Sequence, residues 1–331
     1  MTMPQIDGYD SFYTTAGYLM GGHAPDTGGI LNNIFAGVAL ELRNFSKTAA
    51  AILILALLSS AIGTLNSAFG ENSAGRAAFF AFFAAVSALA LACFNTALSY
   101  GTDVIFSMTD FMDKFTPVLI MSIFACCKPA SAAAFEPVLS SAVYVVSLII
   151  RECMVPLTTF SAVLSVAGNI GDKKSMSGFI KIVNSVNKWL MAFVITLFTG
   201  INTVYGFSVS SLDAISAKTI KFAVGSLVPV VGGFLSDSVD TVTTSASLIK
   251  NSAGAAGVII ICGICVVPVI KLGVMQLMLR LCAAFSEPVT DKRIPDMLWG
   301  MSEAVTAVFG TVILTAVLFA VNICIILRMT S

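Results

Sequence analysis

Residues 48–68, TAAAILILALLSSAIGTLNSA, carry no charged side chain over 21 positions. A helix needs about 20 mainly apolar residues to cross the hydrocarbon core of a bilayer. Residues 77–100, AAFFAFFAAVSALALACFNTALSY, form a second uncharged run, and residues 303–327, in which Glu303 is the one charged residue, form the last apolar run in the chain. These runs predict helices that cross a membrane.

The composition of the whole chain agrees with that prediction. Hydrophobic residues make up 57% of the chain and charged residues 11%, whereas an average soluble domain is roughly 25% charged. Because lipid cannot bond to backbone groups, an apolar exterior favours helices. We therefore predict an all-α, polytopic membrane protein of about seven transmembrane helices (six to eight), with broken or re-entrant segments and amphipathic interfacial helices.

The charge distribution argues against nucleic acid as a partner, and the pattern of apolar residues near the N-terminus predicts a division of the chain. Net charge is zero and the basic residues are scattered, so nucleic-acid binding is not expected. Apolar residues recur at helical spacing over 28–46, which predicts an amphipathic helix at the membrane surface. The chain thus divides into a polar N-terminal segment with this helix, 1–46, and one transmembrane domain, 47–331.

The middle of the chain contains the signals for its orientation in the membrane. Asp103, Asp110 and Asp113 predict a polar break after the second span, and residues 114–170 contain enough apolar sequence for two more spans. Residues 171–188 hold four lysines against one acid, which predicts a cytoplasmic loop. An N-terminus outside the cytoplasm requires an odd number of spans before Lys173, and an N-terminus inside requires an even number.

Residues suited to catalysis are scarce. The chain contains one histidine, His23, and its cysteines lie mostly in apolar runs, where a thiol behaves as a small hydrophobe. Cys262 and Cys265 have metal-ligand spacing, but no second cysteine pair accompanies them. We therefore expect that the protein is not an enzyme and that it binds no metal and no cofactor.

Residues 217–254, AKTIKFAVGSLVPVVGGFLSDSVDTVTTSASLIKNSAG, differ from the surrounding apolar sequence. A helical wheel places apolar side chains on one face and polar ones on the other, and Gly254 and Gly257 are expected to loosen the end of this helix. The face could lie flat on a bilayer, pack against a partner or line a water-filled path. Its candidate residues are Asp237, Asp240, Thr241, Thr244, Lys250 and Asn251.

Two further features flank that helix. A backbone break is predicted before it, at Gly225, Pro229, Gly232 and Gly233. Lys221 and Lys271 are charges at membrane depth. An unpaired charge within a span is costly, so Lys271 must face a wet space, a protein-lined space or an interface.

The residues of this region resemble the stage III sporulation protein AE family of endospore-forming bacteria. The resemblance rests on Lys221-Phe222, on Val228-Pro229-Val230-Val231-Gly232, on Asp237-x-x-Asp240-Thr241-Val242 and on Lys250-Asn251, and extends through Pro268 and Lys271. It covers most of residues 30–330.

That resemblance implies a multi-span component of the assembly that joins mother cell and forespore. The implied partners are other membrane subunits, including a secretion-type ATPase and ring-forming proteins, and the lipid bilayer; self-association stays open. The implied role is a channel or scaffold subunit in the mother-cell membrane around the forespore. A secondary transporter for a small solute is the alternative, motivated by the broken helices and the charges near membrane depth.

Overall fold

The computed structural model describes residues 27–68, 73–125, 137, 141–170, 178–200 and 232–328. Within the helices, some side chains lie outside the described set: those at 27–38, 40, 44, 63–68, 73, 74, 76, 122–125, 232–253 and 325–328. The described residues form six long helices: α1 (Thr27–Ala68), α2 (Ser73–Ala125), α3 (Ser141–Ala167), α4 (Gly178–Gly200), α5 (Gly232–Ser286) and α6 (Arg293–Arg328).

Helix α1 joins two elements that the sequence separates. The predicted surface helix over 28–46 and the first span are one continuous helix, whose apolar stretch is Glu41–Ile62. The boundary at 46/47 therefore lies inside a helix. Residues 1–26 lie outside the described part of the chain, and the location of 28–46 at the membrane surface stays a prediction.

Helix α2 continues through the predicted polar break. Asp103, Asp110 and Asp113 all lie within its 53 residues, so the expectation of a break there was wrong. The three carboxylates are exposed on one face, where they do not disturb the buried face of the helix. Lys114 also supports the helix, because its Nζ lies 2.6 Å from Asp110 one turn earlier.

Helix α3 is a single candidate span where the sequence predicted two. Residues up to 125 belong to α2, so only Ser141–Ala167 is long and apolar enough to cross a membrane between 114 and 170 in the described chain. A π-helical turn, Ile150–Met154, interrupts it just before Pro156. Proline lacks an N–H and cannot complete the α-helical bond to residue 152, which favours the wider turn.

Helix α4 shortens the predicted cytoplasmic loop. It begins at Gly178, so Lys181 and Lys188, assigned to the loop at 171–188, lie on the helix as exposed side chains. Residues 171–177, which include Lys173 and Lys174, lie outside the described part of the chain, so a cytoplasmic loop there stays a prediction.

Helices α2, α5 and α6 form the centre of the bundle and share most of the interhelical contacts. Their facing side chains make the apolar core, which includes Met108, Leu272, Met301 and Phe319, none more than 1% exposed. Helix α1 packs against α2 and α5, whereas α3 packs against α6 and α2.

Side-chain contacts fix the direction of each helix. Ser87 contacts Met297 near one end and Gly101 lies against Val308 further along, so α2 and α6 run in parallel. Gly257 lies against Ile323 and Gly273 against Phe309, so α5 is antiparallel to α6. The described chain holds six candidate spans, within the predicted range, and the all-α polytopic fold class is confirmed.

Candidate functional site

Helix α5 connects the polar-faced segment to the centre of the bundle without interruption. Its 55 residues run from Gly232 to Ser286 through Gly254, Gly257 and Pro268. The expectation that the two glycines loosen the end of a helix was therefore wrong. At Gly257 the absence of a side chain permits close packing, because a Cβ there would overlap the ring of Phe115.

The predicted site residues other than Lys271 divide into three groups. Lys221, Gly225 and Pro229 lie outside the described residues. Gly232 and Gly233 are the first two residues of α5. Six more lie on the helical backbone of α5 with side chains outside the described set: Asp237, Asp240, Thr241, Thr244, Lys250 and Asn251. Their polar face stays a prediction.

Lys271 is the predicted site residue whose surroundings the structure defines. Its Nζ lies 2.9 Å from Oε1 of Glu41, and the two side chains are only 18% and 16% exposed. The same ammonium group lies 4.9 Å from the ring centroid of Tyr100, in cation–π geometry. The cluster thus connects α1, α2 and α5.

This arrangement decides among the three surroundings expected for Lys271. The lysine faces a protein-lined space, and its charge is neutralised by a carboxylate from a neighbouring helix. A charge buried without a partner costs far more than a paired one, so each residue makes the other tolerable. The cluster can therefore hold α1 in register against α5.

Sequence reasoning missed both partners of Lys271, although one signal pointed to Glu41. Glu41 is the only acidic residue of α1, and Lys271 lies within an apolar run of α5. An acid and a base in apolar stretches of two helices favour pairing, because each lowers the cost of burying the other. Nothing in the sequence indicated Tyr100.

A second polar contact, also missed, lies between α3, α4 and α6. Ser161 donates a hydrogen bond to Oδ1 of Asn184 at 2.5 Å, and Nδ2 of Asn184 donates to Oε2 of Glu303 at 2.7 Å. Arg280 of α5 donates to the hydroxyl groups of Ser302 and Thr306 on α6. These bonds satisfy polar groups that lipid would leave unpaired.

Comparisons with known proteins agree with the resemblance found in the sequence. The family model described as stage III sporulation protein AE matches residues 13–330. The stage III sporulation protein AE of Bacillus subtilis (strain 168) is 26% identical over 297 residues, which cover 90% of this chain and 74% of the relative. No solved structure matches the chain.

The family match covers nearly the whole chain, and six of its helices are long and apolar enough to span a membrane. The chain is therefore a multi-pass membrane protein of sporulation and belongs to the stage III sporulation protein AE family.

Proposed function

We propose that this protein is a non-catalytic channel or scaffold subunit of a membrane complex that links mother cell and forespore. Its location would be the mother-cell membrane around the forespore, and its partners would be other membrane subunits, including the ATPase and the ring-forming proteins. Family membership supports the role in sporulation. The role within the complex rests on the architecture of α5.

The observation that carries the proposal is the continuity of α5. The segment that holds Asp237 and Asp240 and the packed segment around Lys271 are parts of one helix. A rigid helix anchored in the bundle at one end can present its other end to a partner subunit or to a conduit. An independent surface helix would lack that anchor.

Replacement of Asp240 by leucine tests the proposal. We expect Asp240→Leu to abolish sporulation while the protein still accumulates in the membrane, because the change removes a charge from the predicted polar face. Val239→Leu is the matched control, since residue 239 lies on the predicted apolar face of the same helix. Normal spore yield from Asp240→Leu would count against a role for this face.

A secondary transporter is the alternative function. Two arguments for it, a charge at membrane depth and broken helices, are weakened by the structure. Lys271 is paired with Glu41, and α5 continues through Pro268. Purified protein in liposomes separates the two proposals: uptake of a solute against its gradient, driven by an ion gradient, would favour the transporter. A scaffold subunit would show no such uptake.

A further inference from the structure

Exposed charges occur well inside three of the candidate spans. Lys188 has ten residues before it and twelve after it in α4, and the pair Arg151 and Glu152 has ten residues before it and fifteen after it in α3. Asp103 lies inside the 45-residue span of α2. All four side chains are exposed. Ionisable groups within spans normally pair with one another or face protein or water, so each of these groups requires a partner.

Two of these four charges have partners in their own chain. Nε of Arg151 lies 3.7 Å from Oε1 of Glu152, and its guanidinium group lies 5.6 Å from the ring centroid of Phe106 on α2. Asp103 and Lys188 take part in none of the ion pairs among the described residues. An exposed acid on α2 and an exposed base on α4 are therefore left without an ion-pair partner.

These two residues lie on opposite sides of the bundle. Gly101 of α2 lies against Val308 of α6, and Met191 of α4 lies against Gly310. Positions 308 and 310 point about 160° apart, because an α-helix turns by about 100° per residue, so α2 and α4 lie on opposite sides of α6. For the same reason Asp103, two positions after Gly101, points away from α6. One chain cannot bring its own acid and base together.

Asp103 and Lys188 nevertheless lie at nearly the same height. Helix α4 runs parallel to α6, as α2 does, because residues seven apart on α4 contact residues seven apart on α6: Asn184 contacts Glu303, and Met191 contacts Gly310. Counted from these contacts, Lys188 is level with position 307 of α6 and Asp103 with position 310. Three residues correspond to about 4.5 Å along a helix, so the two charges can meet when a second copy lies alongside the first.

Small side chains flank both charges on the outer sides of their helices. On α2, Ser99 and Ser107 lie one turn before and one turn after the acid; on α4, Ser185 and Ala192 lie one turn before and one turn after the base. All four flanking residues are exposed. Small residues allow membrane helices to approach each other closely. We call residues 99, 103 and 107 the acidic face and residues 185, 188 and 192 the basic face.

The two helices also have opposite net charges. From 77 to 125, α2 contains three acids and one base, which gives a net charge of −2: Asp103, Asp110, Asp113 and Lys114. Helix α4 contains two bases and no acid, which gives +2: Lys181 and Lys188. Complementary charges favour contact between α2 and α4 of different copies, whereas a twofold contact between two acidic faces would bring like charges together.

We propose that copies of this chain associate side by side, with the acidic face of one copy against the basic face of the next. Because the contact joins two different surfaces, each added copy keeps one free face of each kind. Such contacts continue until a ring closes. This proposal concerns contacts between copies and does not depend on the role in a channel.

Cysteine cross-linking between two copies tests this contact. In a cysteine-free version of the full chain, Asp103→Cys and Lys188→Cys are placed on two differently tagged chains that are expressed together. Oxidation in the membrane should give a dimer that carries both tags, in at least tenfold higher yield than the dimer from either variant expressed alone. One chain with both cysteines should give a ladder of larger species, because every copy then carries both halves of the contact.

Arg43→Cys is the matched control for Lys188→Cys. Arg43 is an exposed base on α1, two positions from Glu41, and it lies outside the basic face. A mixed dimer of Asp103→Cys with Arg43→Cys in equal yield would overturn the assignment to α4. Abundant dimer from Asp103→Cys alone would show a twofold contact, and absence of the mixed dimer while both cysteines react with maleimide in SDS would show no contact; either result would overturn the proposal.

Charge reversal provides a second measurement on the purified chain. Asp103→Lys and Lys188→Asp each place like charges in the contact, so we expect each to weaken self-association in detergent at least tenfold, as measured by light scattering. The combined variant should recover to within twofold of the parent, because the charges are again opposite. Unchanged association of the single variants, or no recovery in the combined variant, would contradict the pairing. Since only this chain is present, such a failure would leave the proposed role beside other subunits unaffected.

Discussion

Lys271 and Glu41, which are 230 positions apart in the chain, form an ion pair of 2.9 Å between α5 and α1. Both side chains are largely buried, and Tyr100 from α2 covers the ammonium group. A buried ion pair adds little net stability. Removing one of the two residues is nevertheless costly, because the remaining charge is left buried and uncompensated. The pair therefore ties the position of α1 to that of α5.

Lys271→Met leaves the carboxylate of Glu41 without its cation. We expect this variant to lose about 3 kcal/mol of unfolding free energy, in line with other buried pairs that lose one partner. Unfolding in detergent, followed by circular dichroism, measures the loss. Glu41→Gln should behave alike, because it leaves the ammonium group unpaired.

The combined variant Glu41→Gln with Lys271→Met controls for the loss of either side chain alone. We expect it to be more stable than Lys271→Met, since no charge is left uncompensated. Additive losses from the two single changes would show that the residues do not interact.

Gly257→Ala tests the close approach of α5 to α2. A Cβ at this position overlaps the ring of Phe115, and overpacking of a core costs about 1–3 kcal/mol. We expect a loss of that size in detergent unfolding, and partial recovery when Phe115→Leu is added.

Gly273→Ala is the matched control on the same helix. A Cβ there would lie 3.7 Å from Phe309, an ordinary van der Waals contact. Because alanine favours a helix interior over glycine by about 0.5–1 kcal/mol, this variant should equal or exceed the parent in stability. A matching loss at both positions would contradict the packing argument.

Composition and runs of apolar residues were sufficient to predict the fold class, because an apolar exterior leaves helices as the spanning structure. Helix ends were predicted less well. Asp103 and Gly257 were read as ends of helical segments, yet both lie inside continuous helices. Their roles depend on neighbours distant in the chain: Asp103 lies on an exposed face and Gly257 packs against Phe115.

The cost of a charge in an apolar run made Lys271 a candidate from sequence alone. Its partners could not be identified in the same way, because the contact of Glu41 and Tyr100 with Lys271 depends on how three helices pack. Asn184 and Glu303 illustrate the same limit, since 119 positions separate these hydrogen-bonded residues.

Asn184→Leu tests the polar contact between α3, α4 and α6. The change deprives Glu303 of its hydrogen-bond donor and Ser161 of its acceptor. Ser161 is buried, and a buried polar group left unpaired costs about 1–3 kcal/mol. Glu303 is exposed and loses its donor as well, so we expect lower stability than in Ser161→Ala, which removes one bond only. Equal stability of the two variants would show that the bond to Glu303 contributes nothing.

Pro229 and Gly232 should respond differently to replacement by alanine. Gly232 is the first residue of α5, and alanine is accepted in a helix more readily than glycine. Gly232→Ala should therefore leave spore yield unchanged.

Pro229 lies before α5 in the predicted backbone break, and Pro229→Ala would allow the helix to extend toward the N-terminus. We expect Pro229→Ala to reduce spore yield at least tenfold while the protein accumulates normally, as measured by heat-resistant colony counts and immunoblotting of membranes. Full spore yield from Pro229→Ala would show that no break is required at this position.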